Sequence, residues 1–106
     1  MIAGLGVDVA EIERVWDVYQ KNTSFLAYIL TSAEQKVFQS LSMRRQQEFL
    51  AGRFSAKEAY SKALGTGIGA QVGWHDIEVL DEPNGKPRIT HHPFAGKAFV
   101  SISQSS

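Results

Sequence analysis

Glu58 and Lys62 stand four residues apart in the stretch "FLAGRFSAKEAYSKALGTGIG", Phe49 to Gly69. On a helix that spacing puts a carboxylate and an ammonium on one face. Three alternating glycines, Gly65, Gly67 and Gly69, follow at once. One reading is a solvated ion pair worth about 0.2–0.5 kcal/mol, ended by a flexible turn. The other is a polyphosphate contact, because backbone N–H groups exposed by glycines, together with one ammonium, can hold phosphate oxygens. The glycine pattern does not decide between them. "GTGIG" lacks the Gly-Lys-Ser/Thr ending of a P-loop, and it follows a helix where a dinucleotide fingerprint would open one.

Arg53 and Lys57 form a second pair at the same spacing, like-charged and mutually repelling unless both face a bound anion. From Arg44 to Leu64 there are five basic residues and two acidic ones. In a chain of zero net charge, such a local patch fits an anionic partner, and a solvated face fits it as well. Asp8 follows Gly4 and Gly6 on one side of an apparent strand. Glycines allow close backbone approach, so a helix laid there would bring Asp8 to Glu58. Two converging carboxylates repel. A divalent cation reconciles them, and Mg²⁺ is held by one or two carboxylates plus substrate phosphates. Alternatively, Asp8 simply caps the next helix. His75, His91 and His92 have no metal-site spacing, and Trp16 and Trp74 read as core or interface.

The elements that must position these residues are legible in part. "IAGLGVDVA" alternates as a strand, with Leu5, Val7 and Val9 on one face. "EIERVWDVYQ" spaces Ile12, Val15, Trp16 and Tyr19 as a helix. "LTSAEQKVFQSL" has Thr31 and Glu34 in a capping-box pattern, with Leu30, Val37, Phe38 and Leu41 as its apolar side. The spacing predicts the longest helix from about Arg44 to Leu64, capped at its end by Gly65. "WHDIEVLDEPNGKPRITH" reads as a hairpin turning at Asn84-Gly85, with Pro87 at a strand start or edge and Lys86 solvated. "KAFVSISQSS" reads as one more strand. The order is α+β, a long helix packed on a mainly antiparallel sheet.

The chain's 106 residues predict one small domain of the kind often stabilised by oligomerisation. It is 43% apolar and 21% charged, an ordinary globular composition. Zero net charge supplies no global field for nucleic acid or an anionic membrane. The absence of cysteine excludes disulfides, thiolate catalysis and sulfur-ligated zinc, and fits a cytoplasmic setting. The N-terminus, with acids in its first dozen residues, is not expected to be a signal peptide, and no apolar run nears the ~20 residues of a membrane span.

"GLGVDVAEIERV", "ILTSAE", "FLAGRFSAKEAYSKALGTGIG", "DIEVL" and "NGKP" occur in an order and spacing that resembles the holo-acyl-carrier-protein synthases, which are small phosphopantetheinyl transferases. The resemblance runs through nearly the whole chain to Ser103. It implies transfer of 4′-phosphopantetheine from coenzyme A to a serine of an acyl carrier protein, releasing adenosine 3′,5′-bisphosphate. Asp8 and Glu58 fall on the family's Mg²⁺-binding positions, and Lys62 on the lysine that touches the pyrophosphate. Arg45 and Arg53 match basic positions near the adenosine 3′-phosphate, with Arg44 grouped beside them. The loop Gly65, Thr66, Gly67 lies on the path of the pyrophosphate and pantetheine arm. Glu58 and Lys62 are the implied catalytic pair, with Glu58 or a water beside it as the base. Arg14 is the expected contact for the acidic carrier protein. The family is typically a homotrimer with sites between subunits.

Two features depart from the family's pattern. Gln104 stands where a histidine is expected, and glutamine carries neither proton nor charge. The family's last strand has no counterpart after it. The resemblance thus implies one phosphopantetheinyl transferase domain over residues 1–106 without that strand. Two other readings stay open: a module that binds coenzyme A or carrier protein with weakened turnover, and an interaction domain with solvated charges. The first predicts coenzyme A binding without product, and the second predicts no Mg²⁺-dependent ligand binding.

Overall fold

The computed structural model describes residues 7–63, 65, 67–69, 72–81 and 87–91. Among the described residues a β-bridge at Asp8 comes first, four helices follow, and a pair of strands comes last. Helix α1 is Val9–Lys21. Asp8 opens it, its Oδ1 accepting from the Ala10 N–H at 2.8 Å. Val9 and Ala10 are helical, which shortens at its end the strand expected through "IAGLGVDVA", while Asp8 sits in a β-bridge. The aspartate cap satisfies a first-turn donor and starts the helix where apolar alternation still suggests extension. Residues 1–6 of that expected strand lie outside the described residues. Ile12 and Val15 are buried, while Trp16 and Tyr19 are half-buried, as their spacing predicts.

Helix α2, Ser24–Ile29, has no counterpart in the expectations. Six residues are too few for periodicity to stand out. Asn22 organises its start, with Oδ1 accepting from the Ser24 N–H at 3.3 Å and the Ser24 hydroxyl at 2.6 Å. Helix α3, Ser32–Gln39, carries the expected capping box. The Glu34 N–H donates to Thr31 Oγ1 at 3.3 Å, and the Thr31 N–H donates to Glu34 Oε1 at 2.9 Å. The box gives two end donors a partner, and Glu34, which is fully buried, is hydrogen-bonded as a buried polar side chain must be. Helix α4, Met43–Ala63, matches its expected span within a residue at each end. Ser42 precedes it and accepts from the Arg45 N–H at 3.4 Å.

The chain separates into two compact units, Met1–Ser55 and Ala56–Ser106. Helix α4 belongs to the first as far as Ser55 and to the second from Ala56. The first unit buries Val7, Ile12, Val15, Leu26, Ile29, Leu30, Phe38, Phe49, Leu50 and Ala51. A chain of aromatic contacts links its helices. Trp16 and Tyr19 of α1 lie 6.4 and 5.8 Å from the Phe38 ring of α3, and Phe38 lies 6.4 Å from Phe49 of α4.

In the second unit the helix ends at a glycine turn. A 3₁₀ turn follows at Trp74–Asp76, then strands β1, Glu78–Asp81, and β2, Pro87–His91. The strands pair antiparallel, Val79 opposite Ile89, with a register shift between Glu78 and Val79. Pro87 begins β2, as expected of a residue without an N–H. The Asn84-Gly85 turn and the "KAFVSISQSS" strand lie outside the described residues. Trp74–Asp76, expected as part of the hairpin, is 3₁₀ because Asp76 folds back to accept the Gly73 N–H at 2.8 Å. Tyr60 of α4 packs with Val72, Ile77, Val79 and Ile89, joined by Ala56 and Ile68. Burial pushes the Tyr60 phenol above its ordinary pKa. The architecture is α+β, with the end of the long helix on an antiparallel hairpin. Among the described residues no helix is long and apolar enough to cross a membrane.

Candidate functional site

The residues with phosphate chemistry gather at the end of α4. Glu58 is half-buried and Lys62 exposed. Their four-residue spacing puts them on one face, yet no ion pair joins them among the described residues. This corrects the plain reading of a solvated Glu–Lys pair. Lys62 sits in the last turn, where the helix's carbonyl end favours a cation.

The glycine turn is more specific than its sequence suggested. Gly65 and Gly67 adopt φ +84° and +68°, the left-handed region that side chains rarely enter. The Gly65 N–H donates to the Lys62 carbonyl at 2.9 Å, and the Gly67 N–H to the Ser61 carbonyl at 3.1 Å. Both serve the helix end, as a glycine cap should. The Gly69 N–H donates to the Val72 carbonyl at 2.8 Å. All three glycine amides are thus engaged inside the chain. A phosphate cradle built on those N–H groups is not what the turn provides. It provides room, since a Cβ on Gly65, Gly67 or Gly69 would meet nothing within 4 Å. Thr66 lies outside the described residues.

The like-charged pair resolves differently from the expectation that both face an anion. Lys57 is fully buried, and its Nζ donates to the Trp74 carbonyl at 3.0 Å. Arg53, 2% exposed, lays its guanidinium 4.2 Å from the Phe49 ring centroid, a favourable cation–π contact. Each therefore has a partner within the protein. Nothing in the sequence pointed to Trp74, because a backbone carbonyl leaves no residue-type signal.

Arg44 and Arg45 are exposed at the start of α4. Arg45 Nε lies 4.0 Å from Glu48 Oε1, a surface pairing that is weak in water. Arg14 makes a two-point contact with Glu11, at 3.0 and 2.6 Å, and its guanidinium lies 5.6 Å from the Phe54 ring. Asp8 is exposed and caps α1 through one oxygen, Oδ1. Asp8, Arg14, Arg44, Arg45 and Arg53 belong to the first unit, and Glu58, Lys62, Gly65 and Gly67 to the second.

Among the described residues no group of three or more His, Cys, Asp or Glu assembles a metal cage. Asp8 spends one carboxylate oxygen on its cap, and Glu58 is in no ion pair among the described residues. Each carboxylate is a hard-oxygen donor of the kind that Mg²⁺ takes together with water and substrate phosphates.

The chain is 50% identical over 105 residues to the holo-[acyl-carrier-protein] synthase of Limosilactobacillus fermentum, covering 99% of this chain and 88% of that one. It is 53% identical over 106 residues to the synthase of Streptococcus agalactiae, at 99% and 88% coverage. Among solved structures it matches a holo-(acyl-carrier-protein) synthase from Bacillus anthracis in complex with CoA (3′,5′-ADP). That match has a TM-score of 0.69 and 46% identity, over 76% of this chain and 67% of that one. The Helicobacter pylori synthase in complex with coenzyme A matches with a TM-score of 0.66 and 27% identity, over 87% and 74%. The family model of the 4′-phosphopantetheinyl transferase superfamily matches residues 4–106. Relatives alike along nearly the whole length, together with the family model over residues 4–106, place the chain in one family: it belongs to the 4′-phosphopantetheinyl transferase superfamily.

Proposed function

We propose that this chain is a holo-acyl-carrier-protein synthase. It transfers 4′-phosphopantetheine from coenzyme A to a serine hydroxyl of an apo acyl carrier protein. The serine oxygen bonds to the pantetheine-bearing phosphorus as the bond from that phosphorus to the bridging oxygen breaks. Adenosine 3′,5′-bisphosphate departs. Such a transfer depends on positioning and on offsetting negative charge. Glu58 takes the serine proton, and Lys62 meets the charge that builds on the pyrophosphate. Asp8 and Glu58 are the residues that would hold Mg²⁺, which when bound supplies positive charge to the phosphoryl oxygens. Arg44 and Arg45, exposed at the start of α4, serve the adenosine phosphate end. Gly65, Thr66 and Gly67 leave a path for the pantetheine arm. Arg14 meets the acidic carrier protein by exchanging Glu11 for a carboxylate of the partner.

The observation that carries this reading is the Glu58–Lys62 face. Its two charges share one side of the helix without an ion pair among the described residues, beside glycines whose missing Cβ would meet nothing within 4 Å. Residues 1–106 are taken as one transferase domain, acting in the cytoplasm as a homotrimer with sites between subunits.

The test is incubation with apo carrier protein, coenzyme A and Mg²⁺, read as the intact mass of the carrier, with a chelator control. A chelator-sensitive gain of one phosphopantetheine is expected. Coenzyme A binding without any gain would replace the transferase reading with that of a binding module.

A further inference from the structure

Lys57, Tyr60 and Ser61 form the buried stripe of the helix's last turns, at the spacing that faces a core. Lysine is almost never fully buried unless paired. Here its Nζ is 3.0 Å from the Trp74 carbonyl. That carbonyl belongs to a fixed turn. The Gly73 N–H donates to Asp76 Oδ2 at 2.8 Å, and the Asp76 N–H donates to the Gly73 carbonyl at 3.1 Å. Buried Val72 and Ile77 flank it on either side.

Burying an amine costs free energy unless it is hydrogen-bonded, so the bond to the Trp74 carbonyl ties Lys57 to a defined place in the core. A hydrogen bond is directional, whereas apolar packing is not. Direction about the helix axis is what the next residue requires. Successive helical residues are offset by about 100°, so fixing Lys57 fixes the bearing of Glu58. The stem of Lys57 is enclosed in the core and tied at its Nζ, whereas the short side chain of Glu58 has little reach to offset a rotation of the helix.

We propose that Lys57 is a positioning residue: its bond to the Trp74 carbonyl sets the rotation of the last turns of α4 and so aims the Glu58 carboxylate at the reacting phosphoryl group. The inference rests on the transferase reading above. It assigns the buried ammonium a role in turnover that the like-charged Arg53/Lys57 spacing did not suggest.

The test compares the full-length wild type with Lys57→Met, which keeps the length and loses the donor, and Lys57→Gln, which keeps a donor without charge. With carrier protein in excess, kcat and KM for coenzyme A are measured, together with amide hydrogen exchange across Glu58 to Lys62. Lys57→Met is expected to lower kcat by about tenfold or more, as small misplacements of a reacting group do. Its KM should stay within about twofold, because the binding contacts remain. Exchange at Glu58 to Lys62 should quicken, and Lys57→Gln should recover part of the lost kcat. A folded Lys57→Met with unchanged kcat, or with only KM altered, would overturn the proposal. So would a Lys57→Gln variant as impaired as Lys57→Met. If Lys57→Met does not fold, Lys57→Gln against wild type decides by the same readings, and unchanged kcat and exchange overturn the proposal. A wild type without transfer refutes the transferase reading itself, whereas transfer in wild type and Lys57→Met alike refutes only the role of Lys57.

Discussion

Lys57 and Lys62 lie on the same helix, five positions apart, and have opposite fates. One is fully buried on a backbone carbonyl, and the other stands in solvent at the helix end. Residue type alone does not separate them, and their spacing puts them on different faces only once the buried side of the helix is known. That Glu58 and Lys62 share one face of a helix was legible from their spacing. What spacing left open was whether the two charges neutralise each other, and the structure shows no such pair among the described residues. Lys62→Ala is therefore expected to lower kcat/KM for coenzyme A by about 100-fold, the usual cost of removing one charge-stabilising donor. Because Lys62 is exposed, its removal should leave the melting temperature nearly unchanged. Steady-state kinetics and a thermal melt check both, and wild-type kcat/KM in the folded variant would take Lys62 out of the mechanism.

At the scale of elements, the capping signals carried the most information. Thr31 and Glu34 marked the start of α3 and form the box that they predicted. Gly65 marked the end of α4 correctly, because only a residue without a Cβ enters φ +84° at little cost. Asp8 shows the limit of such reading. Its sequence context left two readings, a metal ligand beside Glu58 or a helix cap, and its bond to the Ala10 N–H makes it the cap. That bond leaves its other oxygen for the proposed metal role. The glycine turn gives a clean comparison. Gly65→Ala is expected to cost about 1 kcal/mol in stability, since alanine is strained in the left-handed region. Gly69→Ala has open space and no positive φ, so it should change stability by less than about 0.5 kcal/mol. Denaturant unfolding measures both. Equal losses would mean that backbone strain is not what makes Gly65 necessary.

For the whole molecule, the proposed trimer gives the clearest prediction. A 106-residue chain has a modest core, and Tyr28 and Met43 are each 65% exposed in its first unit. Light scattering across micromolar concentrations is expected to give three times the chain mass of 11.7 kDa. A mass of one chain throughout would remove the trimer, and with it the sites between subunits. By itself the sequence determined the α+β order, the span of α4, the capping box and the family's motif positions. Those follow from local forces: periodic burial, capping and turn chemistry act over a few neighbouring residues. Only the tertiary structure decided that Lys57 goes inward to Trp74, that Arg53 stacks on Phe49, and that the glycine amides serve the helix and not an anion. The physical reason is that a buried charge, like a backbone donor, must find a partner, and that partner is chosen by packing between segments that the sequence keeps apart.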